Sequence, residues 1–187
     1  MEIPVYNLII DDDEDTGVEF VSLVDMPAIE KNWQAFNEEI KFTSDKERRI
    51  ISGAFMIANL PIYRRDESGE FYAVFNKETI EQIRDRFHKN GGGTITNVMH
   101  ENTVEGVYLI ESFIIDKTRG IKTPDGFDRL SEGSWFGSFK VENDEIWNNF
   151  IKTGEFNGFS VEGFFKKGKR RDYEEELIEK IRTAVNS

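Results

Sequence analysis

One segment of the chain, Gly158-Phe159-Ser160-Val161-Glu162-Gly163-Phe164-Phe165, places a single serine in a glycine-flanked and otherwise apolar β-strand. Glycines on both sides allow another backbone or a substrate to come close to the hydroxyl of Ser160. An ordinary buried strand would carry Val or Thr at this position. The serine is therefore either a small residue tolerated in a packed strand or a nucleophile, and a nucleophile needs a base within hydrogen-bond reach.

The segments around this strand predict many strands and few helices. Asn143 is placed to cap a helix from Asp144 to Thr153, which Gly154 ends before the serine strand begins. Further strands are predicted at Val5 to Ile10, Val18 to Val24, Arg49 to Leu60, Phe71 to Phe75, Thr94 to Met99, Glu105 to Asp116 and Ser134 to Val141, and further helices at Lys77 to Lys89, capped by Asn76, and at Tyr173 to Val185. Because helices and strands do not alternate regularly, the expected fold is α+β, with a mainly antiparallel, barrel-like core and two or three flanking helices.

The expected organisation is one β-barrel domain over residues 1–166, followed by a basic linker and a C-terminal helix over residues 167–187. The basic run from Lys166 to Arg171 suggests the linker. The acidic segment from Asp11 to Gly17 joins the first two strands, but it lacks the ligand spacing and the distal Glu of a calcium loop. We therefore expect a solvated hairpin loop there and no metal site.

Composition restricts the class of partner. The chain has 36 acidic and 24 basic residues and a net charge of -12, which would repel a phosphate backbone and argues against nucleic acid as a ligand. It has no cysteine, which excludes disulfides, zinc sites built from thiolates and a cysteine nucleophile. It shows no basic leader and no apolar run near ~18 residues, so neither secretion nor membrane insertion is expected.

Only two histidines are available as a base for Ser160. His88 lies near the C-terminal end of a predicted helix, where an imidazolium favours the helix dipole, so it is expected to be structural or solvated. His100 ends the strand predicted at Thr94 to Met99 and is followed by an acidic residue. A histidine at a strand end is well placed to face a cleft, although a surface loop histidine would have the same sequence context.

A catalytic histidine also needs an acceptor that holds its second ring nitrogen. Glu19 is a carboxylate within an apolar strand, and by alternation it shares a face with Val21 and Leu23. It is therefore expected either at a sheet edge or with a partner inside. Glu111 and Glu162 are rivals, and Glu162 follows Ser160 by two residues on the same strand face.

Three segments carry a histidine, a serine and a glutamate in motifs of one family. Asn97 to Glu101 is an apolar run that ends in His-Glu and is followed by the Gly-Val strand Gly106 to Leu109. Lys152 to Val161 has a helix end, a glycine and then Gly-Phe-Ser-Val, and Glu19 to Ala28 reads Glu-Phe-Val-Ser-Leu-Val-Asp-Met-Pro-Ala. These segments resemble the capsid-maturation (prohead) serine proteases of tailed phages, and specifically the XkdF-like phage serine proteases, which are grouped with the herpesvirus assemblins.

The chain departs from the common prohead protease pattern in two ways. The Glu-Val-Ser-Leu-Val motif usually follows the serine, whereas here it precedes it, so the resemblance implies a circularly permuted order. Such a permutation is tolerated when chain termini lie close together on a surface. In addition, Phe20 is inserted into that motif, and Glu162-Gly163 stands where a lone glycine is usual. The third catalytic residue is therefore open between Glu19 and Glu162.

Ser138 is a rival nucleophile, because it also follows a glycine in the apolar strand Ser134 to Val141. It precedes Glu162 by 24 residues, a spacing that resembles the assemblin layout. Ser160 is preferred because its helix, glycine and strand context fits the prohead motif more closely. Whichever serine is not the nucleophile is expected to line the same cleft.

The resemblance implies a serine endopeptidase with an acyl-enzyme mechanism, in which Ser160 is the nucleophile, His100 the base and Glu19 the orienting group, without a metal or organic cofactor. It implies scaffold and major capsid protein, and the protease itself, as substrates in the host cytoplasm within the assembling prohead. A homo-oligomer is compatible with this role. Two alternatives stay open. One is a catalytically inactive capsid-core or scaffold-associated protein of the same fold, and the other is a ligand- or protein-binding β-barrel in which Ser160 only packs.

Overall fold

The computed structural model describes residues 3–10, 17–24, 41–93, 96–98 and 102–171 of the protein. In chain order its strands are β1 (Val5–Ile9), β2 (Gly17–Val24), β3 (Thr43–Asp45), β4 (Ile50–Met56), β5 (Ile62–Asp66), β6 (Gly69–Val74), β7 (Thr96–Val98), β8 (Asn102–Val104), β9 (Val107–Ile114), β10 (Trp135–Val141), β11 (Gly158–Phe164) and β12 (Lys166–Arg171). Helix α1 spans Lys77–Lys89, a 3₁₀ turn spans Lys117–Arg119, and a short helix of π type spans Ile146–Ile151. The fold is α+β and consists mostly of strands.

The strands associate in three four-stranded sheets. The first sheet has the order β12-β1-β6-β5, the second β3-β4-β10-β9, and the third β11-β2-β7-β8. Neighbouring strands are antiparallel, except that β1 is parallel to β6 and β2 is parallel to β7. Within the described part of the chain each sheet ends in two edge strands, so these strands do not close the barrel-like core that the sequence suggested, because closure requires a partner on both sides of every strand.

Helix α1 has the bounds that the sequence predicts. The side chain of Asn76 caps its first turn and accepts a hydrogen bond from the backbone N–H of Thr79 at 2.8 Å. Ile80, Ile83 and Phe87 recur at helical spacing and form its buried face. Local signals alone are therefore sufficient to place this element.

The helix before the serine strand is shorter than predicted. Asn143 caps it as expected, since its Oδ1 accepts a hydrogen bond from the backbone N–H of Ile146 at 3.0 Å. The backbone N–H of Lys152 donates to the carbonyl of Trp147, five residues earlier, at 3.0 Å, which gives the helix its π-type turn. Gly154 follows with φ at 76°, a left-handed conformation that ends the helix.

The basic run from Lys166 to Arg171 is strand β12 rather than the beginning of a linker. It pairs antiparallel with β1 along the edge of the first sheet. Lys167 anchors it: its Nζ lies 2.6 Å from a carboxylate oxygen of Asp66 and 3.9 Å from the ring centre of Phe71. The helix predicted at residues 173–185 and most of the acidic loop at residues 11–17 lie outside the described residues.

An aromatic core joins the second and third sheets. Phe55 of β4 lies with its ring centre 5.2 Å from Trp135, 5.5 Å from Phe139 and 4.9 Å from Phe159. Trp135 and Phe139 belong to β10, whereas Phe159 belongs to β11. Because aromatic pairs of this kind stabilise a packed core beyond their buried area, they fix β11 against the second sheet.

Candidate active site

Ser160 lies in β11, which is an edge strand of the third sheet among the described strands. In register it is opposite Ser22 of β2, and Ser22 is in turn beside Asn97 of β7. Ser160 is 6% exposed. The register therefore lines up two serines and an asparagine on three neighbouring strands, next to the residue that the sequence singled out as a nucleophile.

The residue before Ser160 holds its strand in place. Phe159 is buried and contacts the rings of Phe42, Phe55 and Phe139. Gly53 of β4 makes room for it, since a Cβ at that position would lie 3.1 Å from the Phe159 ring. This packing leaves β11 little freedom to rotate about its axis, and Ser160 is held on the face that the strand geometry assigns to it.

Ser160 lines a cavity of about 70 Å³ with mostly apolar walls. The full set of lining residues is Leu8, Phe55, Met56, Ile57, Leu60, Ile62, Arg64, Ala73, Phe75, Phe159, Ser160, Val161 and Phe165. Among the described residues the hydroxyl of Ser160 has no hydrogen-bond partner. A polar group in an apolar wall without an internal partner is available to a ligand that enters the cavity.

Arg64 contributes the only charge among the cavity-lining residues. One of its guanidinium nitrogens donates to the backbone carbonyl of Tyr63 at 2.9 Å. Partial burial lowers the pKa of Arg64 below its ordinary value, but an arginine remains a cation at neutral pH. The lining of the cavity is therefore apolar apart from Ser160 and this one cationic residue.

Glu19 does not share the buried face of β2, and the alternation argument was wrong at this residue. Val18 pairs with Gly163 and Phe20 pairs with Glu162, so Glu19 is an extra residue with no partner opposite it on β11. This β-bulge changes the alternation: Val18 is buried with Val21, while Glu19 is exposed.

Gly163 explains where the bulge lies. A Cβ at this position would overlap the carbonyl oxygen of Gly17, so only glycine allows the two backbones to come this close. Glu162, the residue before it, is half-buried and follows Ser160 by two residues on the same strand face. Two residues of extended strand span about 6.7 Å, so Glu162 is near Ser160, as the sequence predicts.

His100 lies outside the described residues, and its approach to Ser160 stays a prediction. Strand β7 ends at Val98, two residues before His100. The parallel partner of β7 is β2, which is also the partner of β11. The strand that leads to His100 is thus separated from the strand of Ser160 by one strand.

Ser138 is placed away from this cavity, contrary to the expectation that both serines line one cleft. It is 0% exposed, and it is not among the residues that line the cavity. Its hydroxyl donates to a carboxylate oxygen of Glu111 at 2.6 Å and lies 2.7 Å from the hydroxyl of Ser52. The carboxylate beside Ser138 is therefore Glu111 rather than Glu162, and the structure gives this serine an internal hydrogen-bonding role.

The structure also contains a serine–histidine contact that the sequence reasoning missed. Nε2 of His88 lies 2.7 Å from Oγ of Ser112, and the indole N–H of the buried Trp135 donates to the same Oγ at 2.8 Å. Burial, with a further effect of the nearby Arg84, lowers the pKa of His88 and favours its neutral ring, and the tautomer of that ring decides which side chain donates in this contact. Nothing near these residues in sequence reveals the contact, since it depends on how α1 packs on the second sheet.

Ser112 has a structural reason for its position. A buried tryptophan needs an acceptor for its indole N–H, and Ser112 supplies it. Ser112 is not among the residues that line the cavity. The contact with His88 completes this hydrogen-bond chain from the core to the exposed end of α1.

Metal ligands and membrane-spanning helices were also sought. Over the described ranges, no group of three or more histidine, cysteine, aspartate or glutamate side chains is arranged to hold a metal ion. No helix in the same part of the chain is long and apolar enough to cross a membrane.

The family to which the chain belongs follows from comparison with known proteins. The family model described as "Putative phage serine protease XkdF" matches residues 37–168, more than half of the chain. This match includes Ser160, His100, Ser138 and Glu162, and it begins after Glu19. Comparisons with curated proteins and with solved structures found no significant match. The resemblance to the XkdF-like phage serine proteases is thus confirmed, and the chain belongs to the family of the phage serine protease XkdF.

Proposed function

We propose that this protein is a serine endopeptidase in which Ser160 attacks the peptide carbonyl. The observation that carries the proposal is the contrast among the candidate serines: Ser160 lines a cavity and its hydroxyl has no partner among the described residues, whereas the hydroxyls of Ser138 and Ser112 are engaged inside the protein. Membership of a serine protease family supports the same reaction class.

His100 is the proposed general base. It follows Val98 by two residues, which span at most about 7 Å of chain. Two strand spacings of about 4.8 Å, about 9.6 Å in all, separate β11 from β7, so the proposal requires the imidazole of His100 to reach across β2. In this proposal His100 takes the proton of Ser160 during attack and returns it to the leaving amine, and water then hydrolyses the acyl-enzyme.

Glu19 and Glu162 are the two candidates for the group that orients His100. Glu19 belongs to β2, the strand between those of the serine and the histidine, and Glu162 lies on the serine's own strand face. Glu19 is preferred because it belongs to the motif that resembles the family. Replacing each carboxylate in turn shows which of the two orients His100. An oxyanion hole would add roughly 3 kcal/mol of transition-state stabilisation.

The strand order supports a circularly permuted, assemblin-like arrangement as the finer description of the fold. The N-terminal motif lies on β2, which is hydrogen-bonded to β11 with the serine motif and to β7 with the beginning of the histidine motif. A motif far away in sequence is therefore a direct neighbour in space, as permutation requires. On this basis the proposed substrates are the scaffold and major capsid protein and the protease itself, cleaved within the assembling prohead in the host cytoplasm.

A fluorophosphonate probe tests the assignment, because it labels a serine that is activated as a nucleophile. The wild type and three variants, Ser160→Ala, Ser138→Ala and Ser112→Ala, would be labelled and analysed by peptide mass spectrometry. Only Ser160→Ala is expected to lose the label. Labelling of the Ser160→Ala variant at another serine would transfer the nucleophile role there, and a folded wild type that never labels would favour the catalytically inactive capsid-core protein.

A further inference from the structure

We propose that the cavity beside Ser160 is the pocket that selects the substrate, and that it takes a short aliphatic side chain, of the size of valine or leucine, from the residue next to the scissile bond. This inference rests on the proposed function of Ser160 as the nucleophile. It goes further in naming the chemical class of residue at which the enzyme cleaves.

The cavity lies where the three sheets meet. The first sheet contributes Leu8, Ile62 and Ala73, the second contributes Phe55 and Met56, and the third contributes the segment 159–161 with the serine itself. A pocket built from rigid strands rather than from one loop keeps its shape when a ligand binds, which favours discrimination by size.

The polarity of the walls selects an apolar side chain. Apart from Ser160 and Arg64, every lining residue is apolar. The guanidinium of Arg64 repels a second cation, so lysine or arginine is disfavoured in the pocket. A carboxylate would lose its hydration against walls whose polar residues are only Arg64 and Ser160, so an uncharged side chain fits best.

The volume limits the size of that side chain. The cavity measures about 70 Å³, roughly half of the 150 Å³ of an engineered apolar cavity that admits benzene. An aromatic ring therefore does not fit without displacing the walls, and displacement of packed walls is unfavourable. Side chains of three or four carbon atoms match the available space better.

Ile62 and Ile50 form a matched pair for a test. Each is a half-buried isoleucine at the first position of a strand, but only Ile62 lines the cavity. Ile62→Ala should enlarge the pocket, whereas Ile50→Ala removes the same atoms elsewhere. Leu60, in the loop before β5, also lines the cavity, so Leu60→Ala is a second way to enlarge the pocket. This variant replaces Ile62→Ala in the test if Ile62→Ala folds poorly.

The experiment measures kcat/KM on N-acetyl amino-acid p-nitrophenyl esters of Ala, Val, Leu, Phe and Lys, after the fluorophosphonate label has been located. Wild type should prefer the Val and Leu esters over the Phe and Lys esters by at least about 10-fold, since a poorly fitting group in an apolar pocket costs about 10- to 200-fold. Ile62→Ala or Leu60→Ala should raise the Phe to Val ratio by about 10-fold, and Ile50→Ala should leave it unchanged.

The outcomes separate this inference from the function on which it rests. If Ser160 labels but the Phe or Lys ester is preferred, or if Ile62→Ala, Leu60→Ala and Ile50→Ala have the same profile as wild type, the pocket assignment is overturned and the nucleophile stands. If Ser160 does not label, the proposed function fails, and the pocket assignment fails with it.

Discussion

Ser138 and Ser160 have similar sequence contexts and similar positions in their sheets, yet their hydroxyls have different surroundings. Each stands in an apolar strand shortly after a glycine, and each is opposite a serine of the neighbouring strand, Ser52 for Ser138 and Ser22 for Ser160. Ser138 is fully buried and bonded to Glu111, whereas Ser160 lines a cavity.

The position of each strand within its sheet accounts for the difference. Ser138 is on β10, a central strand with β4 on one side and β9 on the other, and both neighbours supply a partner to its hydroxyl. Ser160 is on β11, which is an edge strand among the described elements. A motif of glycine and serine therefore does not identify a nucleophile by itself, because the neighbouring strands decide whether the hydroxyl remains available.

Ser160→Ala tests this contrast most severely. The substitution removes one oxygen from a strand that Phe159 anchors, so the free energy of unfolding should change by less than about 1 kcal/mol. Turnover should fall by at least about 1000-fold, because loss of a nucleophile removes the acyl-enzyme route. The measurement is cleavage of capsid proteins co-expressed with the variant, read by mass spectrometry, with a urea titration to confirm folding.

If the folded Ser160→Ala protein still cleaved the capsid proteins normally, the serine beside the cavity would not be the nucleophile. If only Ser138→Ala lost this cleavage, Ser138 would be the nucleophile and Ser160 the structural serine.

Replacement of the two carboxylates sharpens the comparison by identifying the orienting group. Glu19→Gln should lower kcat by about 100- to 10,000-fold with little effect on folding, because an amide holds the wrong histidine tautomer. Glu162→Gln should have the milder effect. Rate measurements on both variants with one ester substrate check this, and a larger loss in Glu162→Gln would assign the role to the carboxylate on the serine's own strand.

Ser138→Ala should affect stability rather than activity. The change removes the donor to Glu111 and the partner of Ser52, and we expect the free energy of unfolding to fall by about 1–2 kcal/mol. Urea denaturation of Ser138→Ala beside Ser160→Ala measures the difference. Equal stabilities would mean that the hydrogen bonds of Ser138 contribute no more to folding than the hydroxyl of Ser160, which has no partner among the described residues.

The smallest effect is expected for the contact between Ser112 and His88, which resembles a catalytic pair but has a structural role. The pKa of His88 is lowered in the folded protein, so the unfolded chain binds more protons as pH falls below the ordinary value of 6.5. The contribution of His88 to stability is therefore complete above pH 6.5 and decreases as pH falls from there through the lowered folded-state pKa.

The melting temperatures of wild type and His88→Gln between pH 5 and 8 measure this contribution. The wild type should lose more stability than the variant on acidification, while ester hydrolysis at pH 7.5 should be similar for both. A loss of hydrolysis in His88→Gln would instead point to a catalytic role for this histidine.

Elements with local signals could be predicted well from the sequence. Helix α1 needed only the Asn76 cap and the spacing of its apolar residues. Strand β12 was missed because its charged residues do not alternate with apolar ones, although a basic composition is common on an edge strand.

The site could be predicted only in part, because its details depend on residues far apart in sequence. Ser160 was found from its own segment, but the exposure of Glu19 depends on a bulge against β11, more than 140 residues later. The bond between Ser138 and Glu111 likewise follows from the register of β10 on β9, which no local pattern encodes. Sequence reasoning therefore located the strand of Ser160 and failed where two strands determine one side chain.

The bulge opposite Gly163 has a consequence for how this chain can vary in length. Beyond the bulge the strands return to register, so Ser22 still faces Ser160 even though β2 holds one residue more than β11 over the same distance. An insertion in β2 at Glu19 is thereby absorbed locally and not transmitted to the serine. An alignment would score the extra residue as a defect in the motif. In the structure the bulge accommodates a change in length at the Glu19 end of β2 without altering the register at Ser22 and Ser160.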